Sequence, residues 1–178
     1  LLTLHHVVND GWSNAILVRD WALLYAAERR GVTAELPELP LRYRDYASWQ
    51  RASLAGPALA ERLDFFRSRL DGAQTDLALP RDRRRPNSAG FAGARVALEL
   101  GRELSERIEA FARGEEQTTF VTLFTLFQML LARLSGQHDF LLGTVAENRP
   151  RAELEDVVGF FANTVVVRAV LDGRAGLR

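Results

Sequence analysis

The 178-residue chain has no cysteine. That absence excludes a disulfide framework, a thiolate nucleophile and any cysteine-ligated zinc or iron–sulfur site. Lysine is missing too, so all 23 basic residues are arginine. Many stand where no bidentate contact is required, and the pattern reads as codon bias from a GC-rich genome. The 23 acidic residues cancel them to a net charge of +0, leaving no whole-chain field to steer the protein to nucleic acid or an anionic membrane. With only 3 histidines, a multi-histidine metal site has little material. No apolar run reaches the roughly 20 residues of a membrane span. The most apolar stretch, residues 119–134, reads as a buried core helix. No signal peptide is expected, the location reads as cytoplasmic, and the apolar start at Leu1 suggests a segment of a longer polypeptide.

What is present is enough for one domain or parts of two, with 47% hydrophobic and 26% charged residues. Strand-like and helix-like stretches alternate. A strand is expected over residues 1–8, ended by Asn9, Asp10 and Gly11. Ser13 is the expected cap of a helix to about residue 30, with Gly31 as its stop. Helices follow over 43–54 and 57–70, the second opened by Pro57. Residues 71–93 lose periodicity and carry an arginine run at 81–85, read as a solvated stretch inside a linker between lobes. A strand (94–100), helices (103–113 and 119–134) and strands (138–145 and 164–171) complete an α/β, or α+β mixed-sheet, pattern.

The chemistry concentrates in HHVVNDG at 5–11. On a strand, successive side chains point to opposite faces, so His5 and His6 cannot both serve one substrate. Asp10 could orient an imidazole or pair with an arginine. An imidazole, with an ordinary pKa of about 6.5, suits proton transfer near neutrality. By spacing alone, the first reading is a hydrogen-bonded strand histidine with a helix-capping aspartate, and the second is a proton-transfer site.

The longer string HHVVNDGWS resembles the HHxxxDGxS signature of condensation domains of nonribosomal peptide synthetases, within the chloramphenicol-acetyltransferase-like superfamily. Three further segments resemble family motifs in the same order. These are YRDYASWQ at 43–50, GTVAENR at 143–149, and VGFFANT at 158–164 followed by Arg168. The resemblance implies a two-lobed fold of which only the central part is present. Residues 1–72 would end the N-terminal lobe, 73–93 would link, and 94–178 would begin the C-terminal lobe. It implies amide-bond formation between a donor acyl or peptidyl thioester and an acceptor aminoacyl thioester. Both would ride on the 4'-phosphopantetheine arms of upstream and downstream carrier domains, beside an adenylation domain of the same module. No cofactor bound by the chain itself, no metal, no membrane and no nucleic acid are implied.

By the same resemblance His6 is the catalytic position, as general base or as a positioning and electrostatic group. His5 supports it, and Asp10 pairs structurally with an arginine for which Arg149 is the candidate. Gly11 permits a tight turn, while Trp12, Ser13 and Asn163 are candidates to line the channel. Tyr43, Tyr46 and Trp49 are read as packing residues. Val145, Glu147 and Ala162 depart from the family's usual proline, alanine and valine without removing a polar group of that mechanism. The Trp-Ser order after Gly11 is nearest to domains that join an L-configured donor. The segment alone is expected to be poorly stable and inactive, with the helix face at Ile16 and Leu24 left uncovered. Three other readings stay open. One is a related acyltransferase moving a CoA or polyketide-carrier thioester to a hydroxyl, a second is a non-catalytic carrier-docking domain, and a third is a glycerolipid-type HxxxxD enzyme.

Overall fold

Helix α1 (Gly11–Arg30) begins where extended Asp10 turns its carboxylate back to accept the Ser13 N–H at 2.8 Å. It ends at Gly31, whose φ of 64° is left-handed backbone that costs glycine nothing. Asp10, and not the expected Ser13, is therefore the cap; Ser13 sits one turn inside, its hydroxyl engaged elsewhere. The computed structural model describes residues 1–82 and 93–172. Arg83 to Arg85, the part of the expected linker from 83 to 92, and the last six positions of the expected C-terminal lobe lie outside the described residues.

Helices α2 (Tyr43–Ser53) and α3 (Pro57–Leu70) follow. Asp45 opens α2 by accepting the Arg42 N–H at 2.8 Å, and Pro57 opens α3 with its preset φ. Next come α4 (Arg102–Gly114) and α5 (Thr119–Ser135), the latter capped by the Thr118 hydroxyl on the Val121 N–H at 3.2 Å. Strands β1 (Asp139–Ala146) and β2 (Asn163–Val170) form a two-stranded sheet. The Leu171 N–H meets the His138 carbonyl at one end and Gly143 neighbours Thr164 further along, so the strands run antiparallel.

Two expected strands do not form. Residues 1–5 are irregular and His6–Val8 make one 3-10 turn. The His5 imidazole takes the Val7 N–H and the His5 carbonyl takes the Val8 N–H, so local acceptors claim groups that a strand would offer to a neighbour. Residues 94–100 are also irregular, with Val96 and Leu98 almost fully exposed. A strand lacks meaning without a partner backbone, and no described strand lies beside either stretch. The expectation of a buried α5 fails as well: only Thr122, Leu131 and Ala132 are buried, while Phe120 and Phe127 are exposed. A helix apolar all round needs cover on every side, and its neighbours here supply only part of it.

Contacts divide the chain into two units. The first joins Leu1–Asp71 with Gly143–Val167; the second joins Gly72–Leu142 with the residues from Arg168 onward. Residues 143–167 thus fall in the first unit, together with Leu1–Asp71. The first unit packs Tyr46, Leu154, Val157 and Phe161 against Leu41 and Tyr43. Ile16, expected to be uncovered, is buried, whereas Leu24 is exposed. The second unit packs Leu131, Ala132, Phe140 and Ala169 with Leu77, Leu79, Leu142 and Leu171. Leu77 and Leu79 lie in the expected linker, so its start is docked by apolar contact. Gln137 reinforces it, accepting the Ala78 N–H at 2.7 Å and donating to the Asp76 carbonyl at 2.9 Å. Among the described residues no single helix is long and apolar enough to cross a membrane.

Candidate active site

Beneath the histidine turn of the first unit lies a buried polar hub built on Asp10. Oδ1 caps α1 through the Ser13 N–H, and Oδ2 accepts the N–H groups of Phe161 at 3.0 Å and Ala162 at 3.3 Å. One carboxylate therefore ties the first turn of α1 to a segment about 150 residues later. Burial by itself would raise the Asp10 carboxyl. The hydrogen bonds from Ser13 and Phe161, with the Arg149 charge, outweigh burial and hold it at about 2, against an ordinary 3.8. Asp10 is therefore ionised near neutral pH.

Arg149 supplies the countercharge. It follows β1 after Asn148, whose φ of 52° reverses the chain, a conformation asparagine tolerates better than most residues. Its Nη2 stands 3.4 Å from Asp10 Oδ1 and 3.0 Å from Ser13 Oγ. Its Nη1 donates to the carbonyls of Leu154 and Val157, and the guanidinium lies 3.9 Å from the Phe161 ring centre. Both side chains of the pair are almost wholly buried, at 3% and 4% exposure. Such a pair repays its desolvation only when the remaining donors and acceptors are satisfied, and most of them are. Ser13 Oγ, fully buried, bonds both the Gly159 carbonyl at 2.8 Å and the Gly159 N–H at 3.0 Å.

Above the hub, His6 is exposed. Its Nδ1 lies 2.6 Å from the Asn9 carbonyl oxygen. A carbonyl can only accept, so Nδ1 carries the proton, and a neutral His6 presents its lone pair at Nε2. An edge contact from Phe160, with ring centres 5.1 Å apart and planes at 74°, packs against the imidazole. His5 is oriented differently: its Nδ1 accepts the Val7 N–H at 3.1 Å, fixing the turn. The two imidazoles make different contacts, although no strand separates them.

The family model described as "Condensation domain" matches residues 1–177. The chain belongs to the condensation domain family. Over 178 residues it is 40% identical to a component of the linear gramicidin synthase of Brevibacillus parabrevis, covering 100% of this chain and 4% of that relative. Phosphinothricin tripeptide synthetase PhsC of Streptomyces viridochromogenes is 45% identical over 172 residues, covering 96% of this chain and 16% of the relative. Among solved structures, a four-domain nonribosomal peptide synthetase bound to AMP and glycine superposes with a TM-score of 0.80 at 26% identity, over 95% of this chain and 12% of that one. The chain therefore spans a small part of the curated relatives it matches. Its α/β architecture is the chloramphenicol-acetyltransferase-like fold of condensation domains, of which it holds a part.

Within this condensation domain the structure brings Asp10, Gly11, Ser13 and Arg149 together under the His5–His6 turn. Ser13, read from the sequence as a helix cap or a channel residue, is instead enclosed by Gly159 and Arg149. Trp12 is exposed, its indole N–H donating to the Glu155 carbonyl at 2.8 Å. Asn163 opens β2 on an exposed position and joins no polar contact of the hub. Residues that sequence reasoning quoted without assigning a role do more than expected. Phe161 and Ala162 donate backbone N–H groups to Asp10, and Phe160 touches His6. The signal was the glycine before them: a Cβ at Gly159 would fall 2.1 Å from Tyr43 Cδ2, so only glycine admits the tyrosine there.

Proposed function

We propose that this chain carries the histidine of a peptide-bond-forming site, acting on an acceptor aminoacyl thioester and a donor acyl or peptidyl thioester, each on a phosphopantetheine arm. The supporting observation is the contact of His6 Nδ1 with the Asn9 carbonyl, which can only accept: the ring proton sits on Nδ1, and the lone pair of the neutral ring is at Nε2. The acceptor α-amine, of pKa about 8, is partly neutral near pH 7 and needs only modest help. As its nitrogen bonds to the donor carbonyl carbon, the excess proton passes to Nε2. Collapse breaks the C–S bond, and the departing thiolate takes a proton back. An imidazolium formed at this point also steadies the negative oxygen. His5, Asp10, Gly11 and Arg149 hold the turn and take no part in bond making. Carrier domains on both sides and an adenylation domain are the proposed partners, in the cytoplasm, within the two-lobed domain expected from the sequence.

The test loads donor and acceptor carriers and follows the full-length protein by mass spectrometry of the carrier-bound product. His6→Ala should abolish the dipeptidyl product while leaving aminoacyl loading intact. Unchanged output would sink the catalytic reading and favour a docking role. An ester product in place of an amide would assign a hydroxyl acceptor. The segment alone should form no product.

A further inference from the structure

Two neighbouring phenylalanines behave oppositely. Phe161 is buried in the first unit's core, whereas Phe160 keeps 40% of its surface exposed and sets its ring against His6. An exposed loop aromatic needs no special fastening, yet the backbone around Phe160 is held at five points. Ser13 Oγ grips the Gly159 N–H and carbonyl, Asp10 Oδ2 accepts the N–H groups of Phe161 and Ala162, and the Tyr43 hydroxyl donates to the Phe160 carbonyl at 2.7 Å. The Tyr43 ring also fills the space a side chain at 159 would need.

The Nδ1 bond to Asn9 anchors the His6 imidazole at one atom and leaves the ring free to swing about it. A second contact, from a side chain that cannot itself shift, would fix the plane. We infer that Phe160 is a positioning residue for His6, its ring setting the direction of Nε2, and that Tyr43 acts through the Phe160 backbone. This rests on the proposed catalytic role of His6. It assigns work to an aromatic residue that the sequence motif alone left unexplained, and it changes Tyr43 from packing residue to clamp.

An edge contact of this kind corresponds to roughly a three- to tenfold effect when it is formed in the reacting complex. In the full-length protein with loaded carriers, Phe160→Leu should lower kcat about three- to tenfold with the KM for the acceptor carrier unchanged, and Phe160→Tyr should restore it. Tyr43→Phe, which deletes only the hydroxyl, should lower kcat about twofold to threefold. The double variant should be no slower than Phe160→Leu alone, because both act through one ring. A urea unfolding transition of the condensation domain close to the parent's confirms that each variant is folded. A raised KM with kcat held would make Phe160 a substrate contact and overturn the inference, as would additive losses in the double variant. Lost product in His6→Ala beside full kcat in Phe160→Leu would overturn it alone. Full product from His6→Ala would overturn the catalytic reading and this inference together.

Discussion

Two of the aspartate–arginine pairs among the described residues, Asp139–Arg168 in the second unit and Asp10–Arg149 in the first, differ in everything but chemistry. Asp139 and Arg168 pair across β1 and β2 through two hydrogen bonds, with side chains 36% and 20% exposed. That contact pulls the Asp139 carboxyl below its ordinary range, but water reaches it. Asp10 and Arg149 meet at a longer 3.4 Å and are sealed from solvent. The shorter pair should be the weaker one for stability. An exposed pair exchanges hydration for a contact of similar worth. The buried pair has no water to return to, so removing one partner strands the other along with the N–H groups that depend on it.

Four experiments on the full-length protein would break or sharpen that contrast. Arg149→Leu should cost the most, about 3–5 kcal/mol in equilibrium urea unfolding of the condensation domain, because a buried carboxylate is left without its countercharge. A loss under about 1 kcal/mol would erase the distinction between the pairs.

Acid should expose the same difference. The folded Asp10 carboxyl, at about 2, lies below its ordinary 3.8, so its contribution is fully present above pH 3.8 and is lost as pH falls through about 2. That contribution amounts to about 2 kcal/mol. Asp10→Asn, less stable at neutrality, should therefore lose less than the parent between pH 4 and pH 2. Parallel stability curves would contradict the assigned depression.

Ser13→Ala keeps the charges and removes the hydroxyl that bonds Gly159 twice, for an expected cost of about 1–2 kcal/mol. Its product yield should fall with stability, since the same hydroxyl holds the segment bearing Phe160. Asp139→Ala should come last, with the smallest loss of the four. Its effect should fade further in high salt, which screens an exposed pair and leaves a buried one nearly untouched. A salt-insensitive loss would mean that the strand pair is more enclosed than its exposure indicates.

Much of the molecule was legible in the sequence because its signals are local. Caps, prolines and stop glycines set the helices: Pro57 opens α3, and Gly31 and Gly136 close α1 and α5 in left-handed backbone. The string at 5–13 and the later motifs pointed to the condensation family with no geometry needed. The strands at 1–8 and 94–100 were misread for the opposite reason. Their composition suits a strand, but a strand is a relation between two backbones, and no described strand lies beside them. Helix α5 shows the same limit, since apolarity announces a need for cover without naming what covers it.

By itself the sequence determined the family, most of the helix boundaries and the residue types gathered for the site. Only the tertiary structure decided how they are used. It made Asp10 and not Ser13 the cap of α1, enclosed Ser13 around Gly159, grouped residues 143–167 with the first unit, and set Phe160 against His6. Each of these depends on side chains and backbone more than a hundred residues apart competing for the same donors and acceptors. Spacing along a chain carries no record of that competition; burial and hydrogen-bond geometry resolve it.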